Sequence, residues 1–111
     1  MRQQLRRASK QLAWDANTQI EYITGLAVGP DELALQFDDV FRVASGMVTE
    51  GYLSEDLGAL LTPVDEMLRE MTQSAQEEWS IDAVRHSARW AHLRDLALAV
   101  LQYLEDESGS D

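Results

Sequence analysis

His86 and His92 are the only imidazoles in the chain, which has no cysteine, so they are the only candidates for a neutral-pH base acting on a serine or threonine hydroxyl. The sequence supplies no glycine-bracketed serine elbow, no glycine loop able to cradle a phosphate and no dinucleotide fingerprint to accompany them. His86 falls on one helical stripe with Trp90 and Leu93, which predicts a partly buried histidine with one hydrogen-bonded nitrogen. His92 shares a face with Arg85 and Arg89 and is expected in solvent. No catalytic residue is assigned, and the chain is not expected to be an enzyme. Helical bundles can also seat metals between facing carboxylates and histidines, but the di-iron type needs two Glu-x-x-His pairs and none is present. Asp82 and His86 at i,i+4, with Glu78 one turn earlier, have the spacing of a one-ion site and equally that of acids complementing a helix dipole. The dipole reading needs no ion, so neither a metal nor another cofactor is expected. Arg6-Arg7-Ala8-Ser9 resembles a basophilic-kinase site, yet Ser9 falls on the core stripe of its helix.

Charge is the clearer signal. Nine Lys and Arg stand against 20 Asp and Glu over 111 residues, for a formal net charge of −11. Residues 1–10 carry Arg2, Arg6, Arg7 and Lys10 without an acid, a +4 arm, so the remaining body carries −15. Such a body repels phosphate backbones, and four cations alone give weak, salt-sensitive binding, so nucleic acid is not an expected partner. The acids gather on two helix faces: Asp31, Asp38, Asp39 and Glu50 on the second helix, and Glu66, Glu70 and Glu77 on the third. Like charges at these spacings cost helices a few tenths, roughly, of a kcal/mol per pair, so the pattern does not serve helix stability. It reads as a solvated surface that keeps the protein soluble, as a docking face for a basic protein partner, or as a mimic of a nucleic-acid backbone. Leu35 projects into the acidic face and Trp14 lies opposite the core stripe of the first helix near Arg7 and Lys10; an apolar anchor within a charged rim is how interface hot spots are built.

The elements that position these residues are all helical, because apolar spacing follows a 3.6-residue period and no stretch keeps strand alternation. A first helix is expected over about 3–27, with the stripe Leu5, Ala8, Leu12, Ala16, Ile20, Ile23 and Ala27. Gly29 as N-cap and Pro30 at N1 open a second, about 30–50. Ser54 starts a short helix over 55–61, and Thr62-Pro63 restarts the pattern for a third main helix over 63–76, with a kink or break between them. The fourth, about 80–105, begins at Ser80 with Trp79 and Val84 as a hydrophobic staple, and carries the stripes His86/Trp90/Leu93/Ala97/Leu101/Leu104 and Val84/Ala88/Ala91/Leu98. Residues 106–111 read as a disordered acidic tail.

The expected fold is an all-α, single-domain bundle of four main helices plus one short helix, spanning 1–105. In size, acidity and helical make-up the chain resembles the immunity proteins of bacterial toxin systems, which implies an inhibitor of a basic toxin. That likeness is one of gross properties, and no residue role is carried over from it. The function expected is a protein-interaction module; the alternative is a structural homodimer paired through the fourth helix and Trp90. With no signal peptide and no apolar run long enough for a membrane span, a cytoplasmic protein without membrane contact is expected.

Overall fold

Leu5, Ala8 and Leu12, at helical spacing from the first turn, form the buried face of α1 (Arg2–Ala13) in the computed structural model. The structure describes residues 1–74 and 76–109, and the side chains of these except 74, 76, 77, 108 and 109. Five further helices follow: α2 (Ala16–Gly25), α3 (Asp31–Thr49), α4 (Glu55–Ser74), α5 (Ile81–His86) and α6 (Ala88–Gly109), with a 3-10 turn at Gln76–Trp79 before α5. The long helices alternate in direction. Arg2 pairs with Glu107, so α1 runs against α6, while Ser54 meets Tyr103 at 2.8 Å and Arg89 meets Glu70 at 3.4 Å, so α6 runs against α4. α3 packs on both α1 and α4, which closes the ring. The all-α bundle is thus built from α1, α3, α4 and α6, with the short α2 and α5 packed on each other. Its radius of gyration, 13.8 Å, is close to the roughly 13 Å that size scaling gives a chain of this length.

The core is where the four stripes meet. Leu33, Phe37 and Ala44 come from α3, Leu57, Leu61, Val64, Leu68 and Met71 from α4, and Trp90, Leu93, Ala97, Val100 and Leu104 from α6. The three-and-four spacing within α4 and α6 keeps each seam facing its neighbours along its length. Among the described residues no helix is long and apolar enough to cross a membrane.

Four helix boundaries differ from the sequence expectation. The first helix is not continuous: Trp14 and Asp15 are extended (ψ 151° and 162°), and the Asp15 carboxylate caps α2 by accepting from Thr18 N–H at 3.2 Å. Ala27, expected in the core stripe, is consequently exposed. The expected break at Pro63 does not occur, and α4 is one helix. Pro63 supplies no N–H, but five residues of α4 from Leu57 to Met71 are buried on a single side, and that packing outweighs the roughly 3 kcal/mol a helical proline costs. The fourth helix is split at Ser87 (ψ 131°), whose Oγ donates to Glu78 at 2.7 Å and accepts from Arg89 N–H at 3.2 Å as the new N-cap; Ser80 caps α5 as expected. α6 then extends to Gly109, so residues expected as tail from Asp106 continue the helix, while Ala75, Ser110 and Asp111 lie outside the described residues.

One polar chain ties the two unexpected breaks together. Gln19 is fully buried, and its amide donates to the Gln11 and Leu12 carbonyls at 3.2 and 3.0 Å, two of the acceptors α1 leaves unsatisfied where it stops. Its own carbonyl accepts from Arg94 Nε at 2.9 Å, and Arg94 also donates to the Val84 carbonyl in the last turn of α5. Burial depresses the Arg94 pKa, partly offset by attraction to Asp15. Hydrogen bonds from the Thr18 side chain and backbone, with a smaller attraction from Arg94, hold the Asp15 carboxyl below its ordinary value. A lowered carboxyl pKa adds stability that is present above the unfolded-state value of about 3.9 and lost as pH falls through the folded-state value. Asp15→Asn keeps a good N-cap, so between pH 5 and 3 the variant should lose less stability than the parent in urea titrations; equal losses would dissociate Asp15 from the acid sensitivity.

Two helix C-termini close in the same way with different residues. At the end of α2, Val28 N–H bonds the Ile23 carbonyl and Ala27 N–H the Thr24 carbonyl; at the end of α3, Tyr52 N–H bonds Met47 and Gly51 N–H bonds Val48. Both are Schellman motifs, which need a left-handed residue at C′. Gly51 (φ 85°) adopts it without penalty, whereas Ala27 (φ 57°) carries a Cβ that disfavours it. Ala27→Gly should therefore stabilise the protein by about 0.5–1 kcal/mol and Gly51→Ala destabilise it by about 1 kcal/mol or more, read from denaturant midpoints. Changes of the same sign in both would contradict the shared geometry.

Candidate protein-docking face

Burial of Leu33, Phe37 and Ala44 fixes the rotation of α3, and burial of Leu57, Leu61, Val64, Leu68 and Met71 fixes that of α4, so the hydrophilic sides of this antiparallel hairpin are turned outward. Between Asp31 and Glu70 the sequence holds ten carboxylates, with Arg42 and Arg69 as the only cations. Asp31, Asp39, Glu50 and Glu66 are exposed, as expected, and make no ion pair among the described residues. Asp38 is partly exposed and paired with Arg42 at 3.0 Å, and Glu70 is drawn to Arg89 of α6. The side chain of Glu77 lies outside the described residues.

Leu35 is 55% exposed, within this face. It lines a groove of about 320 Å³ between α3 and α4 whose lining also includes Ala34, Leu68 and two ion pairs, Asp38–Arg42 on α3 and Asp65–Arg69 (2.9 Å) on α4. The immediate surroundings of Leu35 are therefore charge-balanced, and the excess negative charge lies further out. Arg42 is one turn from Asp38 and Arg69 one turn from Asp65, so this pairing is visible in the spacing; that the two pairs line one groove with Leu35 is not.

Trp14 belongs elsewhere. Its ring meets Tyr22 edge-on at 5.3 Å, and the Tyr22 hydroxyl contacts Gln36 on the α1-facing flank of α3, while Leu35 is on the flank toward α4. The structure thus sets Asp31, Leu35 and Asp38 along α3 with Glu66 on α4 of the same hairpin, turns Glu70 toward α6, and does not add Trp14 to them. The basic arm is α1 itself, packed through Leu5, Ala8 and Leu12.

The chemistry-bearing residues weighed from sequence are dispersed. His86 is exposed, not buried on the Trp90 stripe, because the break at Ser87 changes the helical phase between them. It lies 3.8 Å from Asp82 on open surface, whereas Glu78 faces Ser87 and Arg89. Among the described residues no group of three or more His, Asp or Glu could hold a metal ion. Ser9 is fully buried and its hydroxyl has no hydrogen-bond partner among the described residues, so a kinase would have to open α1 to reach it. Trp90 is enclosed by its own chain, and the exposed apolar part of α6 is Leu98 with Ala88 and Ala91; a second copy meeting this helix would not meet Trp90.

Comparison with protein-family models, with curated proteins and with solved structures gives no match to this chain.

Proposed function

We propose that the protein is a protein-interaction module, working in the cytoplasm, whose α3–α4 hairpin engages a basic partner. The observation that carries this reading is the exposed Leu35 lining a groove between the two helices of a hairpin with ten carboxylates and two arginines. An apolar anchor supplies desolvation energy, while the surrounding charge steers approach and makes association salt-dependent. An immunity- or antitoxin-like inhibitor is the concrete form of this reading, supported by size, acidity and helical make-up alone.

The test is co-purification of tagged protein with basic partners from its own host, at about 50 and 500 mM salt, a range over which screening of exposed charges changes severalfold. A specific basic protein should be retained at low salt, weakened at high salt and lost with Leu35→Asp. Retention insensitive to salt and to that substitution, or no basic protein retained at low salt, would reject the reading.

A further inference from the structure

A second hollow, of about 210 Å³, continues the same α3–α4 seam beyond Arg42, floored by Phe41, Val48 and Leu61 and edged by Ser45, Thr62 and Glu55. Gly58 is part of its lining, and a Cβ there would stand 3.0 Å from Val48 Cγ1. The two hollows are centred about nine residues apart along α3, which is about 13 Å at 1.5 Å per residue. We infer, resting on the interaction reading above, that this seam receives a basic amphipathic helix presenting two apolar side chains two turns apart, at i and i+7 or i+8.

Three observations select that occupant. The spacing of the hollows matches two helical turns, about 11–12 Å, and each hollow has an apolar floor. The seam is walled by helices whose backbone groups are used internally, so an extended segment would gain no main-chain hydrogen bonds there, whereas a helix brings its own satisfied. In the first hollow Asp38 and Asp65 are paired with Arg42 and Arg69, so the excess negative charge comes from Glu55 at the second hollow and from the exposed Asp31, Asp39, Glu50 and Glu66 on the same two helices, which favours lysines and arginines flanking the two anchors and disfavours acids.

The probes are three synthetic helical peptides of equal length and net positive charge, with two leucines at i,i+7, at i,i+2 or absent, measured by fluorescence anisotropy against the full chain. The i,i+7 peptide should bind at least tenfold more tightly than the other two. Leu35→Ser in one hollow and Ala59→Gln in the other, both exposed positions and both checked for unchanged helical content, should each remove most of that advantage while leaving the binding of the leucine-free peptide unaltered. Equal binding of all three peptides at low salt would overturn the two-anchor helix and leave the basic-partner reading standing. Failure of all three to bind at low salt would remove both.

Discussion

Trp90→Ala is expected to lose about 3–5 kcal/mol, the range for deleting a large buried aromatic side chain. A domain of this size has about 5–15 kcal/mol in total, so the variant should be partly unfolded at physiological temperature. The indole is fully buried, meets Trp79 edge-on at 5.8 Å and donates Nε1–H to the Glu78 carbonyl at 2.7 Å. It therefore holds the 3-10 turn against α6 as well as filling the core. Trp90→Phe retains much of the volume and leaves that carbonyl without its donor, so a loss of about 1–3 kcal/mol is expected from the hydrogen bond and the smaller ring together. Urea unfolding followed by circular dichroism measures both. If Trp90→Ala cost less than about 1 kcal/mol, far below the cavity range, the ring would not be the keystone of this end of the bundle.

Gln19→Leu is expected to cost about 3 kcal/mol, although it replaces a polar side chain by an apolar one of similar size in a buried place. Two carbonyls at the end of α1 lose their donor and the part-buried Arg94 loses an acceptor, and each buried group left unsatisfied costs about 1–3 kcal/mol. Arg94→Met removes the other half of the chain and frees the Val84 carbonyl. Because both substitutions break the same Gln19–Arg94 bond, the double variant should lose less than the sum of the singles, by about 1 kcal/mol or more. Strict additivity would mean that the two breaks are stabilised independently.

Gln19 and Arg94 show why part of this structure was not legible beforehand. In sequence, Gln19 is a polar residue between Thr18 and Ile20 on an amphipathic stretch, and Arg94 is one of five arginines in an acidic body. Neither type signals burial, since polar residues are buried only where partners exist to satisfy them, and here each residue finds its partners in two other helices. The break at Asp15 did have a local signal. Asp15 three residues before Thr18 is an N-cap arrangement, masked by apolar spacing that continues through it from Leu12 to Ile23. Pro63 gave the opposite error, since local chemistry announced a stop that the buried stripe of α4 overrode.

The docking face divides the same way. Its acids, its exposed Leu35 and α3 could be read from residue type and period, because burial of one side of a helix dictates what the other side shows, whereas α4 was expected in two pieces. The groove lined by Leu35, the second hollow beside Gly58, and the removal of Trp14 to another flank depend on how α3 is set against α4 and α1. By itself the sequence determined helix, amphipathic face and the sign of the charge, which are properties of residues a few positions apart. Only the tertiary structure decided which breaks survive and which buried polar groups find partners. It alone also set where two exposed faces converge, because each of these is settled by free energy exchanged between residues distant along the chain.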